Sequence, residues 1–266
     1  VTDPAGDALA AHRRVLFIHV MKTGGTTLLT ALGQQLEPDE LYPDRTEDMA
    51  ADASTRIAFR HMTLKALEKI PEERRRRIRV FVGHFPYLAK QVIGGELDVI
   101  TVLRDPVERT ISLLRQFQRP AALWLESPPR AALGDLSLEE VYEQPLVFDP
   151  LVLNHQTKLF SMTEADEPGG YMHPIDVDDR RLQLAKQNLA EVDVVGITER
   201  YDAFIDEVTR RYGWRVSADA RLNAAPVDEG FEVSDALRRR IAEDNAIDVE
   251  LYEFARQLIA ERGRSR

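Results

Sequence analysis

The 266 residues contain no cysteine. Disulfides, thiolate metal sites and thiol nucleophiles are thereby excluded, and a reducing cytoplasm is the natural setting for such a chain. No apolar run approaches the roughly 20 residues that a membrane helix needs. The charged-then-apolar order of a signal peptide is also missing, so residues 1–13, beginning VTDPAGDALAA, read as a loose leader. Nor is there an excess of positive charge: 35 Lys and Arg against 45 Asp and Glu give a formal charge of −10. That balance argues against a broad basic face for nucleic acid and says nothing against a local cationic cleft. No set of His, Asp and Glu has convincing metal-ligand spacing, so no metal is expected. What is present is a chain 44% hydrophobic and 30% charged, the make-up of a folded core. The length suits one α/β domain carrying a helical insertion.

The pattern along the chain alternates strands and helices. A first strand is expected from Val15 to Val20, followed by a helix with Leu28, Leu32 and Leu36 on one stripe. Glu37 to Ser54 reads as a loop with a short helix, and HMTLKALEKIPEERRRR as a second helical segment. IRVFVGHF is a buried strand ended by Gly83. LDVITVLRDP is a third, and Pro106 opens the helix VERTISLLRQF. Gln118 to Pro150 is rich in proline and reads as a helical insertion or lid. Leu182, Ala185 and Leu189 mark a helix leading into the strand VDVVGIT; Tyr201, Phe204, Ile205, Val208 and Tyr212 mark the helix after it. Ser234 is placed to cap a long C-terminal helix. Such alternation predicts an α/β, three-layer fold with a central, mostly parallel sheet flanked by helices. Ligands in such folds sit beyond the carboxyl ends of the strands, where KTGGTT, GHF and RDP all fall.

The loop Lys22-Thr23-Gly24-Gly25-Thr26-Thr27 joins the first strand to its helix. Glycines allow close approach of backbone amides. The helix N-terminus adds its dipole, the threonines add hydroxyls and Lys22 adds a full charge, which together suit a phosphate or sulfate. The plainer alternative is a glycine turn with a surface lysine. In the nucleoside-triphosphate loop the lysine follows the glycines, whereas Lys22 precedes Gly24 and Gly25. A kinase would also need an acidic magnesium partner, and Asp105 is the one candidate at a suitable strand end, though Pro106 after it equally suits a helix start.

FIHVMKTGGTT resembles the 5′-phosphosulfate loop of the Golgi-type carbohydrate sulfotransferases, especially the heparan sulfate 2-O/6-O group and its bacterial relatives. VLRDPVERTISLL resembles the 3′-phosphate-binding segment of that family, and NHQTKLF, VGITERYDAF and AIDVELYEFA resemble its downstream segments. The resemblance runs from Val15 to Ala255. Met21 departs from it, since the family usually has proline or a polar residue there.

The resemblance implies a P-loop-like fold and a donor, 3′-phosphoadenosine-5′-phosphosulfate, whose sulfuryl group passes to an acceptor hydroxyl on a carbohydrate, glycolipid or natural product. Lys22 would meet the charge that develops on the departing 5′-phosphate. Arg104 and Ser112 would hold the 3′-phosphate, Arg104 through its forked donors. Against these roles stand an ion pair of Arg104 with Asp105 or Glu108, and a plain helix-surface position for Ser112. Thr198 would lie on the adenine side, and Asn223 on a loop closing over the nucleotide. His84, after Gly83 on the expected rim, matches the base that takes the acceptor proton. Its alternatives are strand-end packing or passive acceptor binding.

Among the other histidines, His19 lies inside the expected first strand and reads as a core residue. His61 could line the acceptor pocket. His155 could touch substrate, though packing fits it better, and His12 and His173 have weak claims. The run Arg74–Arg77, preceded by Glu72 and Glu73, reads as a solvated helix face rather than a polyanion site. Two other readings stay open: a kinase-like phosphotransferase, and a nucleotide-binding module without turnover.

Overall fold

The computed structural model describes residues 13–43, 63–118, 133, 136–166, 172–216 and 233–264. The leader, His12, His61, Asn223 and much of the proline-rich insertion lie outside these residues. Five strands form one parallel sheet: β1 (Val15–Ile18), β2 (Leu41–Tyr42), β3 (Val80–Gly83), β4 (Asp98–Leu103) and β5 (Val194–Ile197), in the order β2-β3-β1-β4-β5. Their short apolar runs are almost wholly buried, as expected of a parallel sheet covered on both faces.

Strand alternation sorts the side chains into two cores. Val15, Phe17, Val82 and Val102 pack against Leu28 and Leu32 of α1 (Gly25–Leu32) and against Phe204 and Val208 of α9 (Tyr201–Tyr212). Leu16, Ile18, Phe81 and Leu103 face a thicker helical layer. That layer contains α2 (Leu64–Glu68), α4 (Ala89–Ile93), α5 (Pro106–Phe117), α7 (His155–Ser161), α8 (Asp179–Ala190), α10 (Asp235–Asp244) and α11 (Ala246–Arg264). Each fully buried leucine in these layers contributes about 1.5–3 kcal/mol. The expected three-layer α/β fold is the observed one.

Several boundaries differ from the sequence reading. β1 stops at Ile18, so His19 stands past the strand end and not inside it. The stretch after Glu37 holds a short 3-10 turn, Pro38–Glu40, and then β2, a two-residue edge strand paired with Val80 and Phe81. HMTLKALEKIPEERRRR is split by Pro71 into α2 and α3 (Glu72–Arg77), because proline supplies no N–H to continue α2. From the insertion, α6 (Leu138–Tyr142) is capped by Ser137 and ties back through Tyr142 Oη to Asp244 at 2.8 Å. Ser234 does cap a helix, its Oγ accepting from Leu237 N at 3.1 Å, but the helix ends at Asp244 and α11 starts afresh beyond Asn245.

The amino-terminal pole of the sheet is laced with ion pairs. Asp98 accepts from Arg13 (3.0 Å), Arg211 (3.0 Å) and Tyr212 Oη (3.0 Å), and Arg211 also meets Asp193 at 2.7 Å. Burial alone would raise the Asp98 carboxyl, but these bonds outweigh it and hold it below the usual carboxylate range. The arginine run of α3 lies at this pole, directly before β3. Arg75 reaches inward, stapling α2 at Leu67 O (2.6 Å) and α4 at Val92 O (2.9 Å), while Arg76 and Arg77 pair with Glu72 and Asp39 on the surface. The run therefore works on the fold at the end of the sheet away from the three clusters.

Candidate functional site

Parallel pairing puts the carboxyl ends of β1, β3, β4 and β5 on one rim. His19 N donates to Gly83 O at 2.9 Å and extends the β1–β3 ladder by one bond. The chain then turns: Thr23 Oγ1 donates to Val20 O at 2.8 Å, fully buried, and Lys22 takes a left-handed conformation at φ 70°. That region is unfavourable for a side-chain-bearing residue. Arg104 Nη1 secures it by donating to Lys22 O at 3.1 Å.

The two glycines are required for different reasons. Gly24 has φ 87° and is the cap of α1, so no cap side chain can answer the first-turn amides; that turn also carries no acid. Gly25 lies against the His19 imidazole, where an added Cβ would come within 2.3 Å of the ring. A helix start capped by glycine, its dipole and Lys22 beside it are together suited to an anion. Thr27 is nearly buried, and the side chain of Thr26 lies outside the described part.

His84 follows β3 onto the same rim. Its Nδ1 lies 2.5 Å from His19 O. A carbonyl only accepts, so Nδ1 carries the hydrogen and the lone pair resides on Nε2. Burial lowers the His84 pKa, and the carbonyl bond only partly offsets this. The His19 ring stands 4.8 Å away, its pKa pushed well below the usual value by burial, then by His84 and Lys22. Both shifts favour the neutral imidazole. A partly buried neutral histidine with a fixed tautomer is suited to accept a proton at Nε2.

Arg104 leaves the end of β4. The carboxylates weighed as its ion-pair partners are engaged elsewhere: Asp105 Oδ1 accepts from Val107 N and Glu108 N, both at 3.0 Å, and caps α5, and Glu108 pairs with Arg238 at 2.6 Å. Ser112 is half-buried, about 9 Å along α5 from Pro106. Thr198 is near the loop, but its hydroxyl lies 3.2 Å from both Thr23 O and Leu103 O, so it ties the loop to the end of β4. His155 is fully buried with Nδ1 bonded to Pro150 O at 3.1 Å, which fits packing and keeps it from an acceptor at the surface. His173 is exposed, and its carbonyl accepts from Lys158.

Some residues at or beneath the rim escaped the sequence reading. Tyr201, read from the sequence as part of a helical stripe, is half-exposed; its Oη donates to Gly24 O at 3.1 Å and its ring covers the glycine. Its position at the first turn of α9, just after the rim of β5, was the available signal. Beneath the rim lie Arg109, Gln156, Lys158 and Asp248, each at most 1% exposed. Arg109 shares a stripe with Leu113 and Phe117 at i, i+4, i+8, so a cation inside an apolar stripe was visible in VERTISLLRQF.

The chain is 33% identical over 186 residues to heparan-sulfate 6-O-sulfotransferase 2 of Danio rerio, a match covering 61% of the chain and 38% of the relative. It is 28% identical over 186 residues to the protein of the same name in Gallus gallus, covering 44% of that relative, and equally to that of Homo sapiens, covering 29%. The resemblance to the carbohydrate sulfotransferases holds. The chain thus spans less than half the length of these sulfotransferases. No protein-family model matches the chain.

Proposed function

We propose that the rim is the donor site and catalytic centre of a sulfotransferase that moves the sulfuryl group of 3′-phosphoadenosine-5′-phosphosulfate to a hydroxyl of a carbohydrate or related acceptor. One juxtaposition carries the reading: the glycine-capped start of α1 with Lys22 and Arg104 about it, and His84 on the same rim with its lone pair on Nε2. The donor's two anionic groups fit such a site. Gly25 lets the loop pack directly on His19, where a Cβ would strike the ring, and amides of a glycine loop at a helix start suit a phosphosulfate. The heparan-sulfate 6-O-sulfotransferase activity by which these relatives are named supports a sugar hydroxyl as the acceptor.

In this reading Thr23, Gly24, Gly25, Thr26 and Thr27 form the loop around the 5′-phosphosulfate, Thr23 through its backbone because its hydroxyl is spent on Val20. Arg104, with Ser112, takes the 3′-phosphate. Thr198 and Asn223 border the nucleotide, and His61 lines the acceptor side. The acceptor oxygen attacks sulfur in line and its proton passes to His84 Nε2. The bond from sulfur to the 5′-phosphate oxygen breaks, with Lys22 stabilising the charge left there. The products are a sulfate ester and adenosine 3′,5′-bisphosphate.

Phosphoryl transfer on a related fold would call on Asp105 for magnesium. The Oδ1 of that carboxylate already holds two amides of α5, which counts against this reading. Thermal unfolding with added nucleotides separates the two. Adenosine 3′,5′-bisphosphate is expected to raise Tm, since a ligand at 100 times its Kd adds about 2.7 kcal/mol to the native state. A rise with ATP and magnesium but none with saturating bisphosphate would overturn the sulfotransferase reading.

A further inference from the structure

Arg104 is the point where β4 runs out of ladder. On one side β5 still pairs with Leu103, and on the other β1 has ended at the level of Thr101. The main chain of Arg104 is completed by the side chain of Gln156. Gln156 Oε1 accepts from Arg104 N at 3.0 Å, and Gln156 Nε2 donates to Arg104 O at 2.9 Å. The amide thus stands in for a neighbouring strand. Because one end must accept and the other donate, its orientation is fixed by chemistry. Rotation of the Arg104 backbone would break both bonds at once.

Gln156 is itself held from below. Its N–H donates to Asp248 Oδ2 at 3.0 Å, and Thr157 N and Oγ1 both donate to Asp248 Oδ1 at 2.7 Å. Asp248 N donates to Asn154 Oδ1 at 3.1 Å, while Asn154 N donates to Asn245 Oδ1 at 2.8 Å. Gln156, Thr157, Asn245 and Asp248 are all fully buried. A carboxylate out of water is costly unless its lone pairs are answered, and here they are answered by the first turn of α7. From the far end of this chain of bonds, Arg104 Nη1 reaches Lys22 O at 3.1 Å.

We propose that Gln156 is a positioning residue for Arg104, with Asp248 as its seat, so that the guanidinium is aimed at the 3′-phosphate end of the donor by contacts the donor never touches. This rests on the reading of Arg104 as the 3′-phosphate ligand. A hydrophobic core residue could fill the same volume. What it could not do is hold both main-chain groups of Arg104.

The test is a double-mutant cycle of Gln156→Met with Arg104→Ala, read by calorimetric binding of adenosine 3′,5′-bisphosphate and of adenosine 5′-phosphate. Gln156→Met is expected to weaken the bisphosphate roughly tenfold, the scale of two neutral hydrogen bonds. It should leave the 5′-phosphate unchanged and add nothing in the Arg104→Ala background. Should Gln156→Met fold poorly, Gln156→Asn, one methylene too short to span both groups, carries the same comparison. Equal losses for both ligands, an undiminished loss in the Arg104→Ala background, or no loss at all would overturn the inference. Arg104→Ala with unchanged bisphosphate affinity would instead overturn the assignment of Arg104, and the role of Gln156 with it.

Discussion

The two ends of the sheet use their acidic residues in opposite ways. At the amino pole, Asp98, Asp193, Asp39 and Glu72 meet arginines within about 3 Å. At the carboxyl rim, Asp105 receives two amides, Glu199 receives Asp105 N and Tyr252 Oη, and Asp248 receives the start of α7. One pole pairs its acids with arginines, part-buried around Asp98 and Asp193 and on the surface at Glu72 and Asp39. At the other, Asp105, Glu199 and Asp248 are met by neutral donors, Glu108 pairs with Arg238, and Arg104 donates to a carbonyl. A chain with a net charge of −10 can in this way present a cationic site, because the local partners of each acid, not the total, set the field.

This contrast can be broken from either end. The largest effect is expected at the rim: His84→Ala should lower turnover roughly 10²–10⁴-fold, the usual share of a general base, while Tm changes little. Lys22→Ala should cost about 10²–10³-fold in kcat, as for one charge-stabilising donor. Assays with labelled donor and a panel of sugar acceptors would measure both; near-normal turnover in either variant would remove that residue from the chemistry.

At the amino pole Asp98→Ala should do the reverse. It should cost about 1–2 kcal/mol in denaturant unfolding, a figure discounted for the half-exposed Arg13, and leave turnover per folded molecule intact. A loss of activity without a loss of stability would erase the distinction between the poles.

The smallest expected effect is one of pH. Burial, then the charge of Arg109, lowers the Lys158 pKa to about 7, against the opposing pull of Asp248. Between that value and the ordinary lysine range the unfolded chain binds a proton that the folded chain does not, so stability rises with pH across this window. Lys158→Met should flatten the rise of Tm between pH 7 and 9; an unchanged slope would place the Lys158 pKa near its ordinary value.

The sequence made the rim visible to the extent that its parts are local. KTGGTT, GHF and RDP each end a strand, and parallel pairing then brings them together without further information. The edge strand β2 was hidden because two residues carry no alternation, and the role of Asn245 because its side chain accepts from Asn154 N, far away in sequence. His19 was misplaced by one structural step: the apolar run continues to Val20, but the ladder does not. Side-chain-to-backbone bonds such as Gln156 to Arg104 or Tyr201 to Gly24 leave no periodic trace, so the support of the site was the least legible part.

The seat at Asp248 also orders events in time. A chain emerging from a ribosome has the five described strands once Ile197 is out, and the loop of Lys22 can form against them. Gln156 lacks its anchor, 92 positions further along, until Asp248 has emerged. A nascent chain would pass through an interval in which the sheet can be complete while Arg104, the proposed 3′-phosphate ligand, still lacks the support of Gln156 on its seat.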